Sequence, residues 1–327
     1  MPLLSIIIVN WNSKDYVRKC LVSLERHCSV DREIIVVDGA SFDGCAEMIA
    51  ADFPGVTFIQ SPENLGFGRC NNLGLRDATG EFVLFLNPDT EIHPGALEAL
   101  LEVAVADPSV GLVGARLLNT DGSLQTSSVH ALPTPLNRAL DSDFLRRLFP
   151  HSRLWVNVCA LPTDRPVDVE AVSGACMLLR REACERIGGF CPDYFMYAED
   201  MHLCWDVAKL GKRIVYQPTA VIVHHGGGAS SGEFSRFSCL EMNRALHQFI
   251  VNRQGKWAGL AYRALIGISA SIRLILLAGA WGFSGRQHRA RRSASIRRWW
   301  TTLMWAVQNL NGKNLPSDTT VRSWVSS

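Results

Sequence analysis

The sequence predicts an α/β protein with a largely parallel sheet, helices on both of its faces, and a helical C-terminal extension. Short apolar runs alternate with segments whose apolar residues recur every three or four positions. The first run, Leu4 to Asn10, is rich in isoleucine and suits a strand covered on both faces. The composition agrees, because 47 % hydrophobic residues and a formal net charge of +2 are ordinary for a globular chain of 327 residues.

The same alternation places the remaining elements in order. Further strands are predicted at residues 33–38, 56–60, 82–86, 175–179, 213–216 and 220–223. Helices are predicted around Val17 to Leu24 and at residues 45–53, 67–78, 96–106, 182–187, 200–210, 236–253 and 256–283. Between residues 117 and 166, prolines and polar residues weaken the pattern and indicate loops and short irregular pieces.

Polar residues follow the first four predicted strands. These ends are Asn10-Trp11-Asn12, residues 38–43, residues 61–64 and residues 87–90. Ligands of parallel sheets bind outside the carboxyl ends of the strands. We therefore expect the four polar ends to meet at one crevice.

The end of the second strand offers a grip for a nucleobase. The Asp38 carboxylate could accept a hydrogen bond from the imide N–H of uracil or thymine, and Ser41 and Asp43 follow in a turn. The alternative is that these residues only cap the next helix. From the residues alone, both readings stay open.

Two other carboxylate motifs lie after predicted strands or before predicted helices. Asn87-Pro88-Asp89 could place Asp89 on a divalent cation that screens a diphosphate, or it could be a simple turn. Glu199-Asp200 could supply a general base, or it could cap the helix that it opens. Aromatic neighbours would raise the pKa of such a carboxylate and a helix N-terminus would lower it, so the sign of the shift stays open.

His224 and His225 end a strand and precede three glycines. An imidazole at this position could bind a metal or donate to a phosphate oxygen, although a lone histidine is more often structural. The glycines would let the backbone approach a ligand closely, which favours a functional role for His224.

Taken in order, the motifs resemble the family 2 glycosyltransferases with the GT-A fold, a Rossmann-like α/β fold, and within them the bacterial rhamnosyltransferase-like branch. The matching stretches lie between Ser5 and Ser230 and read SIIIVNWNS, IIVVDGASFDG, NLGFGRCNNLGL, FVLFLNPDTEI, VSGACMLLRREACERIGGF, FMYAEDMHLCW and VIVHHGGGAS. The resemblance implies an inverting transfer of a sugar from a nucleoside diphosphate, in which Asp38 holds the nucleobase and Asp200, beside Glu199, is the base. It further implies that Asp89 contacts a divalent cation, Mg or Mn, and the diphosphate, and that His224 contacts the metal or a phosphate. By the same resemblance Asn64, Arg69 and Asn72 line the donor site, with Ser173 and Gly174 near the sugar or acceptor. The polar strand ends add Asn10, Asn12, Ser41, Asp43 and Asn87 as candidate donor-binding residues.

Some positions depart from the family pattern. Asn87 stands where many relatives have an acid, which leaves one carboxylate at the metal and weakens the expected metal dependence. Gly39 replaces a frequent Asn. His202 replaces an acid and Asp206 replaces a basic residue, and Cys191 and Pro192 stand where acids are common. These changes leave Asp200 intact.

The C-terminal part has a different character, and we divide the chain into a catalytic domain, residues 1–232, and a helical region, residues 233–327. Six arginines and no acid lie between residues 286 and 298, next to an apolar segment interrupted by Arg263 and Arg273. This pattern favours an interfacial helix on the cytosolic membrane surface over a transmembrane span. The alternatives are a packed appendage or a homodimer interface; without a reader motif, nucleic-acid binding is not expected.

We expect a cytoplasmic protein associated peripherally with the inner face of the cell membrane. The ten scattered cysteines fit a reducing compartment, and the apolar N-terminus lacks the basic start of a signal peptide. The leading hypothesis is transfer of L-rhamnose from dTDP-rhamnose to a lipid-linked saccharide in cell-surface polysaccharide synthesis. The alternatives are a UDP-hexose or UDP-N-acetylhexosamine transferase, and a catalytically weak glycan-binding or scaffold subunit.

Overall fold

The computed structural model describes residues 3–142, 145, 148, 149, 152, 164–226, 235–281 and 286–308. The chain divides into two compact units, one formed by residues 1–132 and 144–232 and the other by residues 133–143 and 233–327. The division that we predicted at residue 232 lies outside the described residues and stays a prediction.

The first unit is built on a mixed sheet. Its strands pair in the order β3-β2-β1-β4-β10-β6-β11-β5, with β8 beside β11, and β7 and β9 form a separate pair. The neighbours β3, β2, β1 and β4 are parallel, whereas β10 runs antiparallel to β4 and β6. The strands are β1 Leu4–Asn10, β2 Arg32–Asp38, β3 Thr57–Gln60, β4 Phe82–Leu86, β5 Thr90–Ile92, β6 Val110–Leu118, β7 Val129–His130, β8 Val167–Asp168, β9 Ala171–Val172, β10 Cys176–Arg180 and β11 Arg213–His224.

Among the described residues, six helices belong to this unit, and their apolar sides bury the core with the sheet. They are α1 Lys14–His27, α2 Cys45–Asp52, α3 Phe67–Asp77, α4 Ala96–Ala106, α6 Arg181–Ile187 and α7 Glu199–Lys209. All seven residues of β1 are buried, as a strand covered on both faces requires. The α/β fold with a mostly parallel sheet is confirmed.

The structure corrects two details of the sequence analysis. Residues 213–223 form one strand, β11, and not two; its register with β6 shifts between Gln217 and Val221. Strands β5, β6, β8 and β9 were missed. Strand β6 contains Gly114, where an added Cβ would lie 2.5 Å from the Val172 side chain, so only glycine fits there. Glycine is uncommon in strands, and the sequence pattern therefore did not indicate one.

The segment expected to be irregular is so where the structure describes it. It contains a 3₁₀ turn at Thr126–Ser128, the short strand β7, and helix α5 Pro135–Leu140, which belongs to the second unit. Thr134 caps α5, accepting a hydrogen bond from the Asn137 N–H. Residues 153–163, which include Pro162, lie outside the described part of the chain.

The second unit is helical. It contains α5, α8 Arg236–Gln254, α9 Lys256–Trp281 and α10 Arg286–Gln308. Phe249, Tyr262 and Trp305 are buried among these helices. By length and composition alone, residues 256–279 could cross a membrane, but core helices of other proteins pass the same test.

The two arginines that interrupt the apolar helix α9 both contact other parts of the helical unit. Arg263 is buried, and its guanidinium donates to the carbonyls of Trp305 and Ala306. Arg273 donates to the Asp141 carbonyl and lies 4.2 Å from the centre of the Trp299 ring. Because both guanidinium groups are held by these contacts, the exposed apolar face of α9 contains neither arginine.

Candidate active site

The carboxyl ends of β1, β2 and β3 meet around Asp38. Asp38 is buried, and its Oδ2 accepts a hydrogen bond from Asn10 Nδ2 at 2.7 Å. Its Oδ1 accepts from the Ser41 backbone N–H at 2.7 Å and from Gln60 Nε2 at 3.0 Å. These three bonds fix the carboxylate and leave room on Oδ2 for one more donor. Gln60 was not among the predicted site residues, although it ends β3 directly opposite Asp38 in the sheet register.

The loop after Asp38 is held by hydrogen bonds from the end of β1. The Asn12 backbone N–H donates to Ser41 Oγ at 2.9 Å, and Asn12 Oδ1 accepts from the Phe42 N–H at 2.9 Å. Asn12 and Ala40 adopt positive φ angles of 51° and 62°, a strained conformation that these contacts stabilise. The loop is therefore preformed.

Asp43 has a capping role. Its Oδ2 accepts from the Lys14 N–H at the start of α1 at 2.8 Å, and its Oδ1 accepts from the Cys45 N–H at the start of α2 at 3.2 Å. The capping alternative therefore describes part of what Asp43 does. Ligand atoms of Asp38, Asp43 and Cys45 also lie within 4.8 Å of one another. Burial, with the nearby carboxylates, raises the pKa of the Cys45 thiol to about 12, which keeps it protonated.

Helix α3 and the residues before it link the loop after Asp38 to the segment before α7. Asn64 lies beside this loop, since a Cβ on Gly39 would sit 3.8 Å from Asn64 Oδ1. Arg69 Nε donates to the Pro192 carbonyl at 2.8 Å. Asn72 Nδ2 donates to the Phe190 carbonyl, and its Oδ1 accepts from the Phe190 N–H. Arg69 and Asn72 thus tie α3 to residues 190–195.

The residues proposed for the metal lie together at the ends of β4 and β11. His224 Nε2 is 3.3 Å from Asp89 Oδ1 and 3.3 Å from Asn87 Nδ2. The side chains of His224 and Asp89 are 16 % and 10 % exposed, so both are largely shielded from water but still reachable. Gln125, which sequence analysis also missed, contacts the other side of the His224 ring. Gly227 and Gly228 lie outside the described residues.

Glu199 and Asp200 open α7 beside the turn that contains Ser173 and Gly174. Asp200 Oδ2 accepts from the Gly174 N–H at 3.0 Å, and its Oδ1 accepts from the Met201 N–H at 2.8 Å. The cap residue of α7 is Ala198, so the acidic pair does not occupy the position of a capping side chain. The Ser173 N–H donates to the Ser128 carbonyl, which holds the turn in place.

Glu199 differs from Asp200 because it is buried and under-bonded. Its Oε2 has no hydrogen-bond partner within the described residues. Burial, together with the neighbouring Asp200 carboxylate, raises the pKa of Glu199 to about 8. The sign that the sequence left open is therefore upward for Glu199. Positive φ angles at Tyr197 and Ala198 mark the tight entry into this helix.

The unusual residues His202 and Asp206 contact each other. His202 Nδ1 is 2.9 Å from the Tyr194 hydroxyl, and its Nε2 is 3.4 Å from Asp206 Oδ2. Asp206 also pairs with Lys209 at 2.6 Å. Burial lowers the pKa of His202, which favours a neutral ring. These two departures from the family pattern therefore contact one another within α7.

Polar side chains gather at the carboxyl ends of adjacent strands, where ligands of open α/β sheets bind. The family model for glycosyl transferase family 2 matches residues 5–188, more than half of the chain. The chain belongs to this family and is a glycosyltransferase.

Curated relatives include bacterial rhamnosyltransferases. An N-acetylglucosaminyl-diphospho-decaprenol L-rhamnosyltransferase of Mycobacterium tuberculosis is 27 % identical over 295 residues, covering 83 % of this chain and 94 % of the relative. The rhamnosyltransferase WbbL of Escherichia coli K12 is 26 % identical over 241 residues, covering 71 % of this chain and 86 % of the relative. The predicted resemblance to bacterial rhamnosyltransferases is confirmed.

Solved structures share the fold. The mannosyltransferase PcManGT of Pyrobaculum calidifontis, in complex with GDP-Man and Mn2+, aligns with a TM-score of 0.59 and 21 % identity over 96 % of this chain and 88 % of that one. GalNAc-T7 with UDP, GalNAc and Mn2+ aligns with a TM-score of 0.54 and 15 % identity over 68 % of this chain and 43 % of that one. The GT-A fold is confirmed.

Proposed function

We propose that this protein is an inverting glycosyltransferase that moves L-rhamnose from dTDP-rhamnose to a lipid-linked saccharide acceptor in cell-surface polysaccharide synthesis. The observation that carries the proposal is the similarity to the N-acetylglucosaminyl-diphospho-decaprenol L-rhamnosyltransferase over 94 % of that relative's length. The geometry of the first unit supports it, because each chemical task of sugar transfer has a suitable group at the carboxyl end of the sheet.

The nucleobase is held at the end of β2. Asp38 Oδ2 has one bond from Asn10 and accepts a second from the imide N–H of the base. Thymine and uracil both carry this N–H, so the site accepts dTDP and UDP alike. Ser41 and the braced loop around it then meet the ribose and the diphosphate.

A divalent cation, Mg or Mn, fits between Asp89 and His224. A carboxylate oxygen and an imidazole nitrogen 3.3 Å apart are ligands that such ions accept, and donor phosphates and water complete the shell. The group of Asp38, Asp43 and Cys45 fits less well, because both carboxylates already accept backbone hydrogen bonds and the thiol is protonated. When bound, the cation offsets the charge of the departing diphosphate.

Asp200 is the general base. It takes the proton of the acceptor hydroxyl while that oxygen bonds to the anomeric carbon and the bond to the diphosphate breaks on the opposite face, which inverts the configuration. The Gly174 N–H holds one carboxylate oxygen in place. Glu199 stays protonated beside it and limits the negative charge at the site.

The acceptor is reached at a membrane through the exposed face of α9. Its large exposed apolar residues are spread over about 30 Å of helix. They are Trp257, Leu260, Ile268, Ile272, Ile275 and Leu276, of which Trp257 is 84 % and Ile275 72 % exposed. A leaflet with anionic headgroups matches this face and the six arginines of residues 286–298. A second copy of the chain would bring the same positive charge to the contact.

A donor panel tests the sugar. Purified protein is incubated with a lipid-linked saccharide acceptor and dTDP-rhamnose, UDP-hexose or UDP-N-acetylhexosamine, and products are measured by mass spectrometry. We expect product with dTDP-rhamnose at a rate at least about tenfold above the UDP-sugars, since a mismatched sugar loses about 1–3 kcal/mol of binding. Transfer only from a UDP-sugar would replace the rhamnose assignment. Donor binding without transfer from any sugar would favour a glycan-binding subunit.

Vesicle binding tests the membrane face. The triple variant Ile268→Asn, Ile272→Asn, Ile275→Asn should bind vesicles containing anionic lipid at least about tenfold more weakly. The substitutions remove apolar side-chain area that becomes buried in the lipid when the protein binds. Val105→Asn, at an exposed apolar residue of α4, is the matched control. Equal partitioning of the triple variant and the wild type would contradict the proposal. Conversion of a dimer to a monomer in light scattering would instead assign the face to a second copy.

A further inference from the structure

Gln125 makes two hydrogen-bonding contacts with a single residue that lies 99 positions away. Its Nε2 is 2.5 Å from the backbone carbonyl oxygen of His224, and its Oε1 is 2.9 Å from His224 Nδ1. One amide therefore contacts both the main chain and the ring of the proposed metal ligand.

The contact with the carbonyl fixes which way the amide faces. A side-chain amide can be turned by 180° without changing its shape, so its orientation must come from its partners. A carbonyl oxygen only accepts hydrogen bonds, so the Gln125 atom facing the His224 carbonyl must be the NH₂ group. The oxygen of the amide then faces Nδ1.

That orientation in turn fixes the proton on the ring. Gln125 Oε1 is an acceptor, so His224 Nδ1 must carry the hydrogen. In the neutral ring the other nitrogen, Nε2, then presents its lone pair to Asp89 Oδ1 and to Asn87 Nδ2, each 3.3 Å away. A nitrogen lone pair and a carboxylate oxygen that face each other form a site for a cation.

The backbone holds Gln125 in this position from both sides. The Gln125 N–H donates to the Leu117 carbonyl at 2.9 Å, and the Gln125 carbonyl accepts from the Ser128 N–H at 3.1 Å and from Ser128 Oγ at 2.8 Å. Leu124 pairs with Leu118 at the end of β6. The amide is thus mounted on the sheet next to β11 and not on a free loop.

We propose that Gln125 is a positioning residue that holds His224 in the Nδ1–H tautomer, so that Nε2 is the nitrogen offered to a divalent cation beside Asp89. Histidines that bind metals commonly donate their other N–H to a neighbouring acceptor, and loss of that acceptor weakens metal binding about 10- to 100-fold. The inference rests on the proposed function for the use of the cation. Its statement about the proton on the ring does not.

The first experiment observes the ring directly. Long-range ¹H–¹⁵N correlation spectra of the metal-free full-length protein report which nitrogen of each neutral histidine carries hydrogen, and His224→Asn identifies the His224 signals. We expect the Nδ1–H form in the wild type. In Gln125→Met, which keeps the length but removes both contacts, we expect the Nε2–H form to appear. Wild-type protein in the Nε2–H form would overturn the inference, whatever sugar the enzyme transfers.

Two substitutions separate positioning of the ring from support of the backbone. Gln125→Glu keeps an acceptor opposite Nδ1 but loses the donor to the His224 carbonyl, whereas Gln125→Met loses both. Mn2+ binding, followed by electron paramagnetic resonance with saturating dTDP or UDP, should weaken about tenfold or more in the Met variant and stay within about threefold in the Glu variant. Equal weakening in both variants would mean that Gln125 only supports the backbone, and unchanged Mn2+ binding in the Met variant would also refute the proposal.

The readouts also separate this inference from the function on which it rests. Suppose that the wild type shows the Nδ1–H ring and tighter Mn2+ binding than Gln125→Met but transfers no sugar. The proposed function would then fail while the role of Gln125 would stand. Sugar transfer by the wild type together with an unaltered His224 spectrum in Gln125→Met would instead refute the role of Gln125 and leave the proposed function standing.

Discussion

The two ends of the candidate site treat their carboxylates differently. At the donor end, Asp38 is buried but accepts three hydrogen bonds, from Asn10, Ser41 and Gln60. At the acceptor end, Glu199 is also buried, and its Oε2 has no partner within the described residues. A buried carboxylate that accepts several hydrogen bonds is held in place as a charged group. A buried carboxylate that lacks them has a raised pKa and tends to keep its proton.

This difference matches the task that we propose for each end. A nucleobase needs a rigid acceptor, so the donor end uses many short hydrogen bonds from adjacent strands. A proton transfer needs a carboxylate whose charge is not offset by neighbouring cations, and Asp200 has backbone N–H partners on one side and the protonated Glu199 on the other. Substitutions at each end can show whether the two ends are separable in this way.

The largest effect is expected from Asp200→Asn. The Asn side-chain oxygen can still accept from the Gly174 N–H, so the fold should survive, but the amide cannot take the acceptor proton. Transfer should fall by about a hundredfold or more, measured as turnover with saturating donor and acceptor. Asp206→Asn on the same helix is the control and should retain near wild-type turnover. Unchanged turnover in Asp200→Asn would contradict the base assignment.

A second large effect is expected where the two ends are joined, at Gly66. Its φ angle is 80°, and an added Cβ would lie 2.0 Å from the Phe195 carbonyl oxygen, which also accepts from the Phe67 N–H. Gly66→Ala should therefore lower the free energy of unfolding by about 3 kcal/mol or more, as strain and a clash with backbone add.

Gly95→Ala is the control for a positive φ angle without the close contact. Gly95 has a φ angle of 76° and a ψ angle of 1°, against a ψ angle of 173° at Gly66, and nothing lies within 4 Å of its added Cβ. Its cost should be about 1 kcal/mol, from backbone strain alone. If urea denaturation gave the same loss for both variants, the close contact between the two ends would be wrong.

A third effect concerns the pH dependence of stability. Because the pKa of Glu199 is raised to about 8 from its ordinary 4.5, the native state keeps a proton that the unfolded chain releases. This stabilisation is complete below about pH 4.5 and is lost as pH rises through 8, at about 1.4 kcal/mol for each unit of difference. Glu199→Gln should remove this slope.

The measurement is urea denaturation of both proteins at pH 5, 6.5 and 8, with the stability difference between them followed against pH. His202 contributes with the opposite sign, because its lowered pKa makes stability rise with pH below its ordinary 6.5. That contribution is common to both proteins and cancels in the difference. Parallel curves of stability against pH for the two proteins would show that the surroundings of Glu199 do not raise its pKa.

The features that sequence patterns predicted are those with a local cause. The apolar runs of β1, β2 and β4 specify buried strands, and the polar residues at their ends follow from chain order, so Asn10, Asp38 and Asp89 could be placed at one edge. Gln60 could have been found by aligning β3 with β2, because it lies opposite Asp38.

The features that were missed depend on packing between distant segments. Gln125 contacts His224 across 99 residues, in a region whose sequence pattern is weak, and no local signal identifies it. The sign of the Glu199 pKa shift depends on how completely α3, α7 and the loop between residues 190 and 198 exclude water. Strand β6 was missed because packing places two glycines in it, Gly114 against Val172 and Gly111 against Val207 and Lys212.

The most direct test of the separation between the two ends compares Asp38→Asn with Asp200→Asn for donor affinity by calorimetry and for single-turnover transfer. In Asp38→Asn, the side-chain NH₂ group faces one of the N–H groups from which Asp38 now accepts a hydrogen bond. Two hydrogen-bond donors then oppose each other. We expect about tenfold weaker donor binding there, with transfer nearly restored at saturating donor. Asp200→Asn should bind donor normally and lose transfer at every donor concentration. If both variants lost donor binding equally, or if Asp200→Asn transferred sugar at the wild-type rate, the two ends would not have the separate roles assigned to them.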